Sequence, residues 1–449
     1  MPQRKDKAIL FLLFTMICTS ALPSLLFAKD YSLRELVSEA KQRSPLLKMV
    51  DGDLGVLRSA QQLTSSYHFP IFTIKQGFTY SNNPVNVFAF KLGQEDFKMN
   101  DFAIDKLNNP DRRKNHQTSL SLMLPVDIAG KLSAEDRVLE KQSDAKTSER
   151  TWVLKEIIRG IYGAYYAFHY MENLQQFLEE ERAYLSKIIH AYDGKYEENK
   201  NRYLIFNQGR IILEQLNEAL ASIALEKKRL LSGLQYFIGN SDSDISIKLN
   251  TKMDEEIYSN LDWKNYDPSS SSHSYREDLK TMRLMVDSLS LDVLKEKKRW
   301  WPTLALFAEH NINSEKFDKY GKDSSAGAFL SWSFGLHLPS VVALAESKVM
   351  AANAKYQEQE ARVNNEQREA FEELKQLQNT IEKGERRHQL FKENKKILTY
   401  QYQRGSVELY NMLDNFAHYI ENYLGLIKSK SDFKVKFIRF IDNFNEVTL

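Results

Sequence analysis

The sequence predicts a mainly α-helical chain with a small β part able to enter a membrane: long coiled-coil hairpins joined to four short amphipathic strands. Three observations predict it. The chain repeats itself, each half holds a long proline-free stretch of helix-permissive sequence, and each half holds two short segments in which apolar and polar residues alternate. The bulk numbers agree with that class. Only 17 glycines and 10 prolines occur in 449 residues, which favours long uninterrupted elements over a loop-rich enzyme. The 62 basic and 60 acidic side chains nearly cancel, so nothing in the charge calls for nucleic acid as a partner.

The N-terminus has the layout of a secretory signal peptide. Arg4, Lys5 and Lys7 precede the apolar run "AILFLLFTMICTSALPSLLFA", Ala8 to Ala28, after which the chain becomes charged at "KDYSLREL". Cleavage is expected near Ala28, making residues 1–28 the leader; an uncleaved anchor is the alternative, since the run is about long enough to span a bilayer. The single cysteine, Cys18, lies inside this run behind "TMI", which lacks the small residue expected before a lipidated cysteine. The mature chain would then hold neither disulfide nor thiolate, which suits an oxidising periplasm. Beyond residue 28 no apolar run reaches the 18 or so residues of a membrane helix, so the mature chain can enter a membrane only as strands.

The duplication places those strands. "SPLLKMVDGDLGVLRSAQQLTSSYHFPIFTIKQGFTYS", from Ser44, aligns without a gap to "REDLKTMRLMVDSLSLDVLKEKKRWWPTLALFAEHNINS", from Arg276, through Pro70 and Pro302, an offset of 232. "LSLMLPV" from Leu120 resembles "LSWSFGL" from Leu330 at an offset of 210, so the first half carries 22 more residues between its matched blocks. The organisation is a first repeat over 29–240, a linker over 241–274 and a second repeat over 275–449, each repeat reading helix, strand, loop, strand, long helix, reversal, helix. In the first strand Phe72, Ile74, Phe78 and Tyr80 share one face and Thr73, Lys75, Gly77 and Thr79 the other. Leu120, Leu122 and Leu124 alternate with Ser119, Ser121 and Met123. The third strand, Thr303 to Asn313, is less regular, and in the fourth Leu330, Trp332, Phe334 and Leu336 alternate with Phe329, Ser331, Ser333 and Gly335. One apolar and one polar face over about ten residues is the pattern of a transmembrane β-strand, although a soluble sandwich alternates too. Tyr67 and Phe69 before Pro70, and Trp300 and Trp301 before Pro302, stand where helix hands over to strand, as an interfacial aromatic girdle would; a core cluster capping a coiled coil is the alternative. Four strands cannot close a barrel, and an open edge in lipid is too costly, so a membrane reading forces oligomerisation, with eight strands from two chains or twelve from three.

The long helices are expected from Gly130 to about Glu198 and from Val341 to Arg404, each about 65 residues or about 100 Å. One seam runs at steps of four and three through Leu154, Ile158, Ile161, Tyr165 and Phe168, and in the other helix Phe371, Leu374 and Ile381 lie on one seam. Within "YQRGSVELYNMLDN" the seam resumes at once as Leu409, Leu413, Phe416, Ile420, Tyr423 and Ile427, so Gly405 marks a reversal, with Ser406 able to cap the next helix and Glu408 suited to its first turn. The equivalent reversal in "ENKNRYLIFNQGR" is expected at Asn199, the next best residue for a left-handed conformation.

The duplicated halves, the "RWWPTLALFAEH" passage and "YQRGSVELYNMLDN" together resemble the TolC-like outer-membrane efflux proteins, over essentially the whole mature chain. The loop "SNNPVNVFAFKLGQEDFKMNDFAIDKLNNPD" is similar to a loop in one branch of that family. The resemblance implies a homotrimer whose four strands per chain make one twelve-stranded barrel in outer-membrane lipid. Long helices would continue it as a periplasmic tunnel, with an equatorial belt from residues near 235 to 275 and the chain ends. It further implies docking on a periplasmic adaptor and an inner-membrane transporter of the RND, ABC or MFS class, for efflux or type I secretion, in a Gram-negative bacterium. Adaptor contact would fall at the tips, on Asn199, Arg202, Gly405, Ser406, Val407 and Glu408. The family's tunnel closes near its second tip at positions that match Asn411 and Asp414, so one of two acids is absent; its tip tyrosine matches Tyr402, and its bridging basic and acidic partners match Val407 and Ile205. Closure is therefore expected to rest on apolar packing around Ile205, Val407 and Leu409, with Asp414 carboxylates setting a weak preference for cations. "PVDIAG", Pro125 to Gly130, keeps the family's strand-to-helix passage loosely, whereas "GLHLPS" in the second half departs from it. The added residues of the first outer loop suggest a partial lid or a surface determinant.

No enzyme or cofactor is expected. The nine histidines are scattered with no HExxH, and no Walker loop, dinucleotide fingerprint or nucleophile elbow occurs. Two other non-enzyme classes compete. A periplasmic adaptor normally has one hairpin between glycine-rich β-domains, which the duplication argues against, and a structural coiled coil without a pore would lack the paired strands.

Overall fold

The structure, a computed structural model, describes residues 29–192, 200–240, 245–247, 263, 276–317 and 319–441. They form two compact units that interleave along the chain. One is drawn from Met1–Lys48, Val153–Tyr275 and Asn364–Leu449; the other is drawn from Met49–Trp152 and Arg276–Val363.

The first unit is helical. Strand β1 (Lys29–Tyr31) pairs in parallel with β4 (Ile245–Ile247). Helix α1 (Leu33–Arg43) begins with a reciprocal cap in which the Ser32 hydroxyl accepts from the Glu35 N–H and the Glu35 carboxylate accepts from the Ser32 N–H. That cap turns Leu33, Leu36, Val37 and Ala40 inward. They join a core with Ile157, Ile158, Ile161 and Tyr165 of α5 (Lys131–Tyr192), Leu234 and Ile238 of α6 (Lys200–Ile238), Phe371 and Leu374 of α8 (Leu338–Gln403) and Phe437 and Phe440 of α9 (Leu409–Ile441). From the 241–274 segment, Trp263 stands against Phe371, Phe433 and Phe437, and Ile247 of β4 pairs with Tyr31 of the same core. A second core gathers Leu178, Leu185 and Ile189 of α5, Phe206 and Ile212 of α6, and Leu409, Leu413, Phe416 and Ile420 of α9. The four-three seams read from the sequence are thus the buried lines: Ile158, Ile161, Tyr165 and Phe168 are 5% exposed or less, and Leu413 is fully buried.

The second unit holds α2 (Pro45–Ser66), α7 (Glu277–Lys297) and a four-stranded antiparallel sheet in the order β2-β3-β5-β6: Ile71–Ser81, Arg113–Val126, Thr303–Ser314 and Gly321–Ser331. Three expected strands lie where the alternation put them. The fourth does not. Its ladder runs over "GKDSSAGAFLS", and Trp332 to Gly335, expected as strand, lie beyond it. The alternating Trp332, Phe334 and Leu336 are exposed side chains in the passage from β6 to α8 rather than rungs of the ladder. That passage also differs from its counterpart, as the departure at "GLHLPS" suggested. After β3, Asp127 accepts from the Lys131 and Ser133 N–H groups at 2.6 and 3.0 Å, and Gly130 takes a positive φ of 66°. After β6 the turn is closed by Leu338 N–H donating to the Gly335 carbonyl, with no positive φ.

Candidate functional site

Two places carry the candidate function, the sheet in one unit and the helical turns in the other. In the sheet, register assigns each side chain to a face. Phe72 opposes Leu122, Leu122 opposes Ala308 and Ala308 opposes Ala326; Ile74 opposes Leu120, and Leu124, Leu306 and Ala328 form the next row. This face is apolar and open: Phe72 is 61% exposed and Ile74 64%. The opposite face is a hydrogen-bonded polar array. The Asn115 amide donates to Asn313 Oδ1 at 3.0 Å, Ser119 donates to Glu309 at 2.8 Å, and Asn311 donates to Asp323 at 2.9 Å. Neither β2 nor β6 has a partner on its outer side among the described residues, so each ends in a row of unpaired backbone groups.

All four strand-helix connections meet one end of the sheet, and both hairpin loops meet the other. Aromatic side chains gather at the helical end. Tyr67, Phe69, Trp300, Trp301, Trp332 and Phe334 are all more than 40% exposed, and the Trp332 indole N–H donates to the Trp300 carbonyl. They are not a core cap; they are surface groups at the edge of the apolar face, where amphipathic rings suit a membrane boundary.

The second helical turn has the geometry that its glycine foretold. Helix α8 ends at Gln403, Gly405 takes φ 72°, its N–H donates to the Tyr402 carbonyl and the Ser406 N–H donates to the Gln401 carbonyl. These are the two bonds of a Schellman ending, and only a residue without a Cβ adopts that φ at no steric cost. Ser406 does not cap the following helix. Helix α9 begins at Leu409, so Glu408 stands at the capping position, rather than in the first turn, and Ser406 two residues before it. The first turn, expected at Asn199, lies outside the described residues. Its flanking helices are antiparallel about that number. A Cβ on Gly209, ten residues after 199, would meet Ile189, ten before; Arg182 donates to Asn217 and Lys227 to Glu172 farther up. Arg202 lies in α6, and its side chain is outside the description.

The expected constriction residues divide into two groups. Ile205 and Tyr402 are half-buried against the second helical core, where Leu409 is 3% exposed; Val407 is half-buried beside them in sequence, and Glu408 is exposed. Asn411 and Asp414, three apart on α9, are exposed on one helix face. Sequence reasoning missed a clamp farther along the helices. Lys395 of α8 pairs with the largely buried Glu181 of α5, its ammonium lies 4.2 Å from the centre of the Tyr184 ring, and the Tyr184 hydroxyl meets Thr399. Burial pushes the Glu181 carboxyl above its ordinary range against the opposing pull of Lys395, and burial likewise raises Tyr184. No local signal links residues 214 positions apart.

No protein-family model matches the sequence, and no curated protein matches it. Solved structures do match. The Campylobacter jejuni CmeC outer membrane channel superposes with a TM-score of 0.76 at 15% identity, over 92% of this chain and 85% of that one. CusC, studied for folding and transmembrane channel formation, gives 0.77 at 14% identity over 93% of each chain. The outer membrane protein VceC of Vibrio cholerae gives 0.72 at 16% identity, over 92% of this chain and 95% of that one. The chain therefore has the TolC-like outer-membrane channel fold, in which four strands and long helical hairpins occur together.

Proposed function

We propose that this chain is the outer-membrane exit duct of a tripartite efflux or type I secretion system, catalysing no reaction, in a Gram-negative outer membrane. The observation that carries it is a sheet whose apolar face lies open while both edges lack partners among the described residues. In lipid each unpaired backbone group costs several kcal/mol, so the sheet is satisfied only when copies close it into a barrel. Three copies would give twelve strands, the number that the family resemblance favours. The duplicated halves, 29–240 and 275–449, each bring two strands and one hairpin, joined by 241–274. The hairpin turns at Asn199 and at Gly405 to Glu408 face a periplasmic adaptor, through which an inner-membrane RND, ABC or MFS transporter loads the duct. Closure rests on apolar packing of Ile205, Tyr402, Val407 and Leu409, with exposed Asn411 and Asp414 lining the narrow end. An adaptor or a poreless structural coiled coil would have no use for an open apolar sheet.

The test joins fractionation with site-specific crosslinking from Ser406 in intact cells. The expected result is a trimer released from outer membranes only by detergent, with an adaptor in the crosslinked product. Release by salt alone would overturn the duct. A detergent-dependent trimer giving no adaptor product would overturn the docking role of the second turn.

A further inference from the structure

The two hairpin loops at the end of the sheet away from the helices are unequal. The second is a short turn between Ser314 and Gly321; the first spans residues 82–112 and has structure of its own. Asn83 caps helix α3 (Pro84–Gly93), accepting from the Val85 and Asn86 N–H groups, with Pro84 in the first turn. A 3-10 turn (Met99–Phe102) and helix α4 (Ile104–Asn108) follow. Phe88, Phe97 and Phe102 pack edge to face with centroids 4.9 Å apart, and Lys91 pairs with Asp101 at 2.5 Å. This is a small prebuilt body rather than a slack connection.

Its position is set by the polar face of the sheet. Gln94 is 2% exposed; its amide donates to the Lys114 carbonyl and to Asn115 Oδ1 at 2.8 and 2.9 Å, and its carbonyl accepts from Arg113 Nε at 2.6 Å. Arg113 also holds Asp96 at 2.7 Å and Glu315 of the short loop at 3.3 Å. On β6, a Cβ at Gly321 would come 2.1 Å from the Gly93 carbonyl oxygen, so the backbone of α3 rests on the strand itself. Arg113, Asn115, Asn313 and Gly321 all belong to the polar face by register. Along α3, Val87, Lys91 and Gln94 turn toward the sheet or loop interior, which leaves Val85 and Leu92 on the other side; they are 75% and 51% exposed, and Met99 and Ile104 are 85% and 75% exposed.

We propose that residues 82–112 form an inward-folded plug at the outer mouth, and that its exposed apolar side packs against the same loop of the other copies. The inference rests on the duct reading. When copies close the sheet with its apolar face toward lipid, the polar face looks at the common axis, and the body seated on that face lies in the mouth. Its outward apolar side then has one occupant within reach that is present in every assembly, the equivalent side of a neighbouring copy. A water-filled lumen around the body would leave four large apolar side chains, Val85, Leu92, Met99 and Ile104, solvated for no gain.

The test uses the full-length assembly. The only natural cysteine is in the expected leader, so Met99→Cys and Ile104→Cys report contacts against a clean background, with Ile74→Cys on the lipid-side face as control. A short bis-maleimide is expected to link copies through 99 or 104 and not through 74. Gln94→Ala combined with Arg113→Ala removes the seat of the plug, and the links through 99 and 104 are expected to be lost while the trimer persists. Absence of copy-to-copy links through 99 and 104 in a trimeric assembly, or links that persist unchanged in the double variant, would overturn the plug while leaving the duct intact. Failure to form any closed oligomer would overturn both.

Discussion

The helical cores and the sheet treat apolar side chains in opposite ways. Leu413 and Phe416 of α9 sit at 0% and 2% exposure inside a cluster supplied entirely by one chain. Phe72, Ile74 and Phe78, equally apolar, stand 60% exposed or more on a sheet from that same chain. Composition does not separate the two regions; geometry does. A helix shows a stripe that its neighbours in the same unit can cover, whereas a four-stranded sheet shows a whole face and two edges, and none of the described residues covers them. On the proposed duct reading, one region is finished by folding and the other by a solvent change and by further copies.

Single substitutions sharpen that contrast. Leu413→Ala empties a fully enclosed site and is expected to lower stability by about 2–5 kcal/mol, read as a drop in the denaturation midpoint of the purified assembly. Leu122→Arg acts on a side chain already 41% exposed. In a water-soluble protein such an exchange changes stability by about 0.5 kcal/mol or less. On a lipid face near midplane it costs about 2–4 kcal/mol in each copy. The expected outcome is loss of Leu122→Arg from outer-membrane fractions with the helical content unchanged; normal insertion would break the comparison at its root.

Much of the fold was legible because its signals are local or periodic. The four-three seams named the buried residues of α5 and α9, and a lone glycine inside a heptad named the turn at Gly405. Strand β6 was displaced because "GKDSSAGAFLS" offers small residues with weak alternation, while Trp332, Phe334 and Leu336 alternate more strongly for a different reason, as exposed groups at the boundary. Of the residues proposed for the constriction, Ile205, Tyr402 and Leu409 collect at one core, whereas Asn411 and Asp414 are exposed. The inward seat of residues 82–112 rests on strand register and on a buried glutamine, which a one-dimensional pattern does not encode. The clamp between Glu181 and Lys395 is silent for the same reason.

That clamp is a largely buried ion pair inside the helical region, and it gives the smallest and most diagnostic test of the contrast. Lys395→Met keeps an unbranched stem and removes the charge, leaving Glu181 desolvated without its cation; since Lys395 is about one-fifth exposed, the expected loss is about 1–3 kcal/mol at neutral pH. The sign with pH follows from the direction of the Glu181 shift. Burial already raises its carboxyl above the ordinary value, and loss of Lys395 removes the opposing pull, so in the variant the folded state holds its proton to still higher pH than the unfolded chain does. Between those two values the folded state binds more protons, and stability falls as pH rises. The gap in Tm between wild type and Lys395→Met is therefore expected to be narrow near pH 4, below the ordinary glutamate value of about 4.3, and to widen toward pH 8. A gap independent of pH would mean that Lys395 contributes through its stem and its rings alone, and that the helical region is as dry in its energetics as the sheet is open.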